Sequence, residues 1–452
     1  MLVRLCTVAA LAAVALLVPT LAHAANFDIN AATDAYLATI TGEAKEKSDA
    51  YFEGGYWLIL WDAVVAIIAC LLILFTRVST GMRNVAERWS RWRWLQTFIY
   101  AALFTIVFAV LTFPMTIYEA FYREHAYGLS NMSLPEWLRD YGIGLALNVV
   151  FGSLALVLIY AVIRRSPRNW WLWATAVTAV LFVVQFAVFP VLVAPLFNDY
   201  KEMADGPVKT EILSLARANG VPTDQVYEFN ASRQSKRVSA NVSGFLGTTR
   251  ISLNDNLLTR ATPAEVKAVM AHEIGHYVLN HGAKIIVYLS LVFAVMFAFA
   301  SVGFGILHGI FGGVWGVRDI GDPAGLPILV ILFTIFGVLA TPVQNSIIRE
   351  NEIQADLFGL NAAREPDAFA TAILKLAEYR KLEPTPLEEI IFYDHPSGRS
   401  RVHMAMQWKS ENLNDLPSAP PPAAAPSAAP EATPPASEPV PQGPDPDAPP
   451  VP

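Results

Sequence analysis

The chain has 452 residues, of which 54% are hydrophobic and only 16% are charged. An ordinary globular protein carries about 25% charged residues, so this composition excludes a plain soluble enzyme and a disordered chain. The formal net charge is −7, and six acidic side chains with no Lys or Arg fall in the last 42 residues. The rest is almost neutral, so there is no basic field for nucleic acid. The two cysteines, Cys6 and Cys70, lie in apolar stretches, which excludes a disulfide framework and a cysteine-based metal site.

The N-terminus has the organisation of a bacterial secretory signal peptide. Residues 1–24 contain Arg4, a short apolar run and a small-x-small cleavage site that ends at Ala24. We expect the mature chain to begin outside the cytoplasm. An uncleaved first membrane span is the alternative, because the apolar run is close to the length at which the two cannot be told apart.

Six further apolar runs are each long enough to cross the hydrocarbon layer as helices. They cover approximately residues 56–75, 97–118, 143–163, 170–197, 285–307 and 326–348. The first four predict an N-terminal membrane bundle within 25–197, and the last two predict a second membrane segment at 285–348. The polar stretch 198–284 predicts a soluble insert between the two membrane segments, and the motifs described below make it, together with 349–410, the predicted catalytic unit.

Charged residues in the loops predict the orientation in the membrane. The loop after the first run carries five arginines, and the loop after the third carries Arg164, Arg165 and Arg168. Lys and Arg accumulate on the cytoplasmic side, so both loops are expected there. The insert and the C-terminal part would then lie on the periplasmic side of the bacterial inner membrane. The loop at 308–325 has one arginine against two aspartates and does not decide the matter.

The C-terminal segment, 411–452, is dominated by Pro and Ala. From Pro417 onward, 36 residues hold 15 of the protein's 31 prolines. Such a sequence has too little apolar surface to offset its chain entropy, which predicts a disordered or polyproline-type tail. A spacer and a partner ligand are both compatible with it, and we expect no catalytic role.

One pentapeptide carries the chemistry. A capping-box pattern at Thr262 and Glu265 predicts the start of a helix that continues into the sequence HEIGH at 272–276. Residues four apart share a helical face, so His272 and His276 can bind a single ion. Glu273 lies beside them, where it can take a proton from water that the ion activates. The alternative is a solvated helix face that happens to hold these three residues.

A third ligand decides between these readings. The metzincin pattern would require Gly at 279 and His at 282, but the chain has Leu279 and Gly282, and His281 comes one residue early. The other common solution is a Glu from a downstream helix. Glu352 can supply it, and Asp356, one turn on, can accept a hydrogen bond from a ligand imidazole. A hydrated charged helix end at the membrane surface is the alternative.

Several separated motifs together resemble the type I CAAX prenyl endopeptidase family, a family of integral-membrane zinc proteases. The likeness covers about Asp49 to Trp408. It rests on these segments around the HEIGH sequence: Ala194 to Asn198, Val226-Tyr227, Ser239 to Asn241, Gly244-Phe245, Arg250 to Leu253, Glu352 to Asp356, and Phe392 to Ser397 followed by Arg401.

The resemblance implies a Zn²⁺ ion bound by His272, His276 and Glu352, with Glu273 as the general base. In the family, a histidine at the position of His395 lies near the site, so His395 is a candidate to stabilise the oxyanion. The alternative for His395 is a role in capping a surface turn.

Substrate binding is also implied. Arg250 to Leu253 alternates like an edge strand, and by resemblance the neighbouring Asn241 region would hold the substrate backbone by strand addition. Arg401 is a second substrate-binding candidate. The family usually has an acidic residue just before this arginine, whereas this chain has Ser400. Eukaryotic members place the metal site in the cytosol; the arginine loops here favour the periplasm, where a farnesylated substrate is not expected.

The sequence as a whole predicts a mainly α, polytopic helical membrane protein with an inserted zincin-type α+β catalytic unit. The predicted function is that of a membrane-embedded zinc metalloendopeptidase, with a peptide or protein substrate and the lipid bilayer as partners. Broad quality-control degradation of membrane proteins is an alternative within proteases. A non-hydrolytic metal-binding membrane scaffold or transporter is the alternative outside them, but metal binding alone would not require Glu273.

Overall fold

The structure, a computed structural model, describes residues 27–244 and 249–416. The predicted signal peptide at 1–24 and residues 417–452 of the Pro-rich tail lie outside the described residues, as does Phe245.

Six helices among the described residues are long and apolar enough to cross a membrane, which confirms the six predicted spans. They cover Gly42–Phe75, Arg93–Ala126, Leu134–Arg165, Trp170–Leu196, His281–Trp315 and Pro323–Ala363. Helices are the expected solution because every backbone group in hydrocarbon must be paired within the segment. The last helix runs well beyond its apolar run, so the same helix that crosses the membrane also carries Glu352 and Asp356.

Shorter helices and a small sheet complete the described part of the chain. The helices, numbered in chain order, are α1 (Ile29–Leu37), α2 (Gly42–Phe75), α3 (Val78–Trp89), α4 (Arg93–Ile117), α5 (Glu124–Ala126), α6 (Leu134–Leu147), α7 (Ser153–Arg165), α8 (Trp170–Val188), α9 (Pro207–Ala218), α10 (Asp255–Arg260), α11 (Pro263–Val278), α12 (His281–Trp315), α13 (Leu326–Ala363), α14 (Pro366–Lys375), α15 (Pro386–Phe392) and α16 (Gly398–Glu411). The strands are β1 (Tyr200–Glu202), β2 (Val226–Phe229), β3 (Ala240–Ser243) and β4 (Arg250–Asn254). Three spans contain π-helical turns, at Tyr118–Arg123, Asn148–Gly152 and Phe189–Val193.

The loops that were predicted to lie on one side of the membrane contact one another at what we call the loop end of the spans (residues 76–92, 164–169 and 316–324). The guanidinium of Arg83 donates to Asp322 Oδ2 at 2.6 Å, and the pair is buried. Arg164 Nε donates to the carbonyl of Gly321 at 3.0 Å. The three loops therefore form one packed unit.

The opposite end, which we call the catalytic end, carries 198–280 and 349–411. Its contacts with the first span fix it there. The ammonium of Lys381 lies 2.6 Å from a carboxylate oxygen of Glu53, and the rings of Tyr56 and Phe392 stack with centroids 3.9 Å apart. The start of the first span thus supports the part of the chain that follows the last span.

The sheet corrects one expectation about its edge. The strand order is β1-β2-β4-β3, with β2 and β4 parallel and the other pairs antiparallel. The segment Arg250 to Leu253 is therefore an interior strand, and its residues are mostly buried instead of alternating. The expectation of an edge strand there was wrong, because β4 pairs with β3 on one side and with β2, an earlier strand of the chain, on the other. One edge of the sheet is β3, where Asn241 pairs with Ser252.

An apolar cluster between the sheet and α11 orients the HEIGH helix. Val266, Met270 and Ile274 lie four residues apart on α11 and are buried against Ile251 and its neighbours. Residues four apart share a helical face, so these three residues define the side of α11 that packs on the sheet. His272 and His276 lie on a different side of the helix. A larger, separate cluster lies between the membrane spans.

Candidate active site

The HEIGH helix begins where the sequence predicts. The backbone N–H of Thr262 donates to Glu265 Oε2 at 2.6 Å, and the N–H of Glu265 donates to Thr262 Oγ1 at 3.3 Å, a complete capping box. Lys375 on α14 donates to the same carboxylate oxygen of Glu265 at 2.6 Å. The cap therefore both starts α11 and fastens it to the C-terminal part of the catalytic end.

Two glycines let α11 and α13 approach closely. A Cβ atom on Gly359 would lie 3.0 Å from the backbone nitrogen of His272, and one on Gly275 would lie 3.1 Å from the ring of Phe358. Side chains at these positions would push the helices apart. Sequence reasoning missed both glycines, since nothing local shows which helix each would face.

His272, His276 and Glu352 converge. His272 Nε2 and His276 Nε2 are 3.0 Å apart, and they lie 3.3 Å and 3.5 Å from the two carboxylate oxygens of Glu352. Ligand atoms about 2.0–2.1 Å from a tetrahedral zinc ion would lie about 3.3–3.4 Å from one another. Glu352 Oε2 is buried and accepts no hydrogen bond from the described residues. The spacing and this unsatisfied oxygen both fit a divalent metal ion.

Glu273 lies beside this cluster on the wall of a cavity of about 280 Å³. His272, His395 and Arg401 also line the cavity, and the rest of its wall is largely apolar. Burial raises the pKa of Glu273 to about 7, which suits a group that must both accept and release a proton near neutral pH. Burial also lowers the pKa of His276 to about 4, followed by the influence of His272, so His276 is a neutral imidazole at neutral pH.

Asp356 lies behind His272, as the spacing predicts. Its Oδ1 is 2.8 Å from His272 Nδ1, and Arg401 binds the same carboxylate with Nε at 2.8 Å and Nη2 at 2.5 Å. Both members of this pair are buried. Arg401 thus pairs with Asp356 and not with the side chain at position 400. The hydroxyl oxygen of Ser400 instead lies 2.8 Å from the hydroxyl oxygen of Ser397.

The histidine of the C-terminal motif also faces the cluster. His395 Nε2 is 3.3 Å from Glu352 Oε2, and His395 Nδ1 is 2.8 Å from Asp394 Oδ1. Burial is the largest single influence and acts to raise the pKa of Asp394, but the hydrogen bond and electrostatic attraction of His395, together with the smaller influence of Arg380, outweigh it and lower the pKa to about 2. Asp394 is therefore a charged partner that orients the imidazole toward the site.

His281 is a residue that the ligand-spacing argument set aside and that the structure brings to the site. Its Nδ1 lies 2.9 Å from His276 Nδ1. The signal was present in the sequence as an extra histidine five residues after His276, but the search for a metal ligand gave no reason to place it behind one.

The predicted substrate-binding residue Asn241 lies on β3, which has one neighbour among the described strands. Three residues that lead into and begin this strand, Val238, Ser239 and Ala240, line the cavity. The start of β3 thus borders the space beside Glu273.

Comparisons with known proteins agree with this architecture. The profile of peptidase family M48 matches residues 202–409, and a profile described as the CAAX prenyl protease N-terminal region, with five membrane helices, matches residues 29–199. Four of the long helices described above fall within the second range. The fold and the site define a membrane-embedded metalloendopeptidase.

The particular family is indicated by the same matches: the C-terminal part of the chain is similar to peptidase family M48, and its N-terminal part is similar to the membrane region of CAAX prenyl proteases. It is 26% identical over 353 residues to the uncharacterized metalloprotease YhfN of Bacillus subtilis, covering 75% of this chain and 80% of that protein. It is 28% identical over 372 residues to CAAX prenyl protease 1 of Saccharomyces cerevisiae, covering 78% of each. The crystal structure of S. mikatae Ste24p has the same fold, with a TM-score of 0.69 at 21% identity over 80% of this chain and 89% of that one.

The matches to these families imply a metal cofactor, a peptide substrate and contact with lipid, which confirms the predictions at that level. His272, His276 and Glu352 form the group among the described residues that can hold the metal.

Proposed function

We propose that this protein is a zinc endopeptidase in which His272, His276 and Glu352 hold the ion and Glu273 is the general base. The convergence of the three ligand side chains beside a buried glutamate supports this proposal most directly. Two His and one Glu with an open position are a typical catalytic zinc set.

When bound, zinc supplies a Lewis acid that polarises the peptide carbonyl and makes water acidic near neutral pH. Glu273 accepts the proton from the attacking water and passes it to the departing amine, for which its pKa of about 7 is well matched. His395, oriented by Asp394, donates a hydrogen bond to the oxygen that becomes negative in the transition state. Asp356 holds the ring of His272, and Arg401 holds Asp356.

The substrate binds as an additional strand along β3 in this proposal. β3 is an edge strand and its first residue, Ala240, lines the cavity, so an extended peptide added to β3 would place its backbone against Asn241 and its scissile bond toward Glu273. The substrate-binding role predicted for Arg401 stays a prediction, since the structure pairs its guanidinium with Asp356.

We place the catalytic end on the periplasmic side of a bacterial inner membrane. The arginine-rich loops, which favour the cytoplasm, lie at the opposite end of the spans. The hydrogen bonds between these loops support placing all of them on the same side of the membrane. The substrates would then be exported or membrane-inserted proteins. Prenylated proteins, which the relatives' names indicate, are not expected there.

The chemical proposal is tested by comparing Glu273→Gln with the native chain. We expect cleavage of a peptide substrate to fall by about 10²–10⁴-fold while zinc content stays the same, because only the base is lost. Glu411→Gln, a change at an exposed residue of α16, is the matched control and should change neither quantity. Equal cleavage by Glu273→Gln and native protein would remove Glu273 from the mechanism.

Sidedness is tested by labelling introduced cysteines with a membrane-impermeant maleimide in whole cells with a permeabilised outer membrane. Glu411→Cys at the catalytic end should react, and Arg91→Cys at the loop end should not; both native positions are exposed, and the native Cys70 is buried. The reverse pattern would place the site in the cytoplasm.

With purified protein, a single cleavage position in a test substrate would favour a defined processing role, and many positions would favour quality-control degradation.

A further inference from the structure

His281 occupies a specific place between a proposed metal ligand and the helix that carries Glu352. It begins α12 directly after Asn280, whose left-handed backbone (φ 55°) turns the chain sharply after α11. Asn tolerates this conformation better than most residues. The turn brings the His281 ring back against α11, where it is 1% exposed. Its Nδ1 lies 2.9 Å from His276 Nδ1, and its Nε2 lies 3.3 Å from Gln354 Oε1.

The hydrogen-bonding groups around the Gln354 side chain fix the direction of the hydrogen bonds that His281 makes. The ammonium of Lys284 has donors only, and it lies 3.1 Å from Gln354 Oε1. The other amide atom, Gln354 Nε2, donates to Glu350 Oε1 at 2.9 Å. Gln354 Oε1 is therefore an acceptor, so His281 Nε2 carries the hydrogen that points to it. Neutral His281 then has its lone pair on Nδ1, and His276 Nδ1 must donate to that lone pair.

This direction matters for metal binding. A His276 ring with its hydrogen on Nδ1 has a free lone pair on Nε2, and Nε2 is the atom that lies 3.0 Å from His272 Nε2 and 3.5 Å from Glu352 Oε1. The opposite tautomer would place a hydrogen in the middle of the ligand cluster. The tautomer of a ligand histidine is set by the bond that its other nitrogen makes.

We propose that His281 is a positioning residue, which fixes the orientation and tautomer of His276 through a relay formed by His281, Gln354 and Lys284. The inference rests on the ligand set proposed above. It makes the two ligand histidines different, because the Asp356 carboxylate lies beside Nδ1 of His272 and an imidazole lies beside Nδ1 of His276. The relay therefore orients its ligand without adding a negative charge beside the metal.

Two variants of nearly equal size separate this role from simple packing. The Oδ1 of an asparagine stands where Nδ1 of His281 stands along the side chain, and it can accept from His276; a leucine fills similar space with no acceptor. We expect His281→Leu to weaken zinc binding by about 10–100-fold and His281→Asn to stay within about threefold of native. The measurement is a competition titration of zinc against a chromophoric chelator with the purified full-length protein, and it does not depend on peptide cleavage.

The outcomes are distinct. Equal zinc affinities for His281→Asn and His281→Leu would overturn the positioning role. His276→Ala in the same titration separates the two levels of the argument: native affinity in this variant would overturn the ligand set and the relay together. Loss of zinc by His276→Ala, with equal affinities for the Asn and Leu variants, would overturn the relay alone.

If His281→Leu does not fold, a second measurement can still test the proposal. Lys284→Met removes the donor that fixes Gln354, and we expect zinc binding to weaken by about two- to fivefold in the native background. In the His281→Asn background the relay is bypassed, so Lys284→Met should have no effect on zinc affinity. An equal effect in both backgrounds would contradict the relay.

Discussion

Two buried Arg–Asp pairs lie among the described residues, one at each end of the membrane spans, and they differ in what else the aspartate contacts. At the loop end, Arg83 and Asp322 are 8% and 5% exposed. The Asp322 carboxylate accepts from Arg83 and from the backbone N–H groups of Arg318 and Ala324. These partners all belong to the loops, so the pair closes the loops.

At the catalytic end, Arg401 and Asp356 are 6% and 0% exposed. Arg401 binds both carboxylate oxygens, yet one of these oxygens also lies 2.8 Å from the ring of His272. The same residue types thus stabilise a fold at one end and contact a proposed metal ligand at the other. A buried ion pair gains a functional meaning only through the third group that it contacts.

Removal of a ligand should give the largest difference between the two ends. We expect Glu352→Ala to lose bound zinc and to reduce peptide cleavage by at least about 10³-fold, because the proposed ion would polarise the reacting carbonyl. Asp322→Asn at the loop end should keep the native zinc content. Metal analysis and a peptide assay on both purified variants check this. Native zinc content in Glu352→Ala would show that another residue is the third ligand.

Removal of either arginine should cost stability at both ends, but metal affinity at only one. Truncating one partner of a buried pair leaves an uncompensated charge, so we expect Arg83→Ala and Arg401→Ala each to lower the free energy of unfolding by about 3–5 kcal/mol. Only Arg401→Ala should also weaken zinc binding. Denaturant unfolding in detergent and zinc titration measure the two effects. A loss of zinc affinity in Arg83→Ala would mean that the two ends are coupled.

The aspartate variants sharpen the same contrast. We expect Asp356→Asn to weaken zinc binding by about 10–100-fold, as is usual when a partner of a ligand histidine is altered. Asp322→Asn makes the same chemical change in a similarly buried pair and should leave zinc affinity within error of native. The chelator titration gives both values, and similar affinities for the two variants would contradict the role of Asp356.

The smallest effect is expected at the contact between α11 and α13. A Cβ on Gly359 would lie 3.0 Å from the backbone of His272, whereas a Cβ on Gly337 of the same helix would meet nothing within 4 Å. We expect Gly359→Ala to destabilise the protein by about 1–3 kcal/mol and to weaken zinc binding slightly. Gly337→Ala should be neutral or slightly stabilising. Thermal unfolding measures the difference, which would vanish if α13 can shift freely.

Local patterns in the sequence were enough for much of this architecture. The six spans follow from apolar runs because the bilayer leaves a chain few alternatives. The start of α11 follows from Thr262 and Glu265, whose capping bonds are confined to one turn. The pairing of His272 with His276 follows from helical spacing alone.

Contacts between distant parts of the chain were harder to predict. Glu352 was named from its motif and family resemblance, since no local rule brings it to α11. The partner of Arg401 is 45 residues away, and the use of His281 depends on Gln354, 73 residues away. The interior position of β4 could not be predicted from its own residues, because it depends on pairing with β2, a strand from an earlier part of the chain.

The continuity of α13 has a consequence for which changes this protein can tolerate. Its 38 residues form one helix from Leu326 to Ala363, about 57 Å long at about 1.5 Å per residue. The rotational phase of Glu352 is therefore counted from the membrane segment. One inserted residue before Glu352 would turn its carboxylate by about 100° away from the two imidazoles, although no site residue had been replaced. Substitutions along the span should be accepted far more readily than single-residue insertions or deletions.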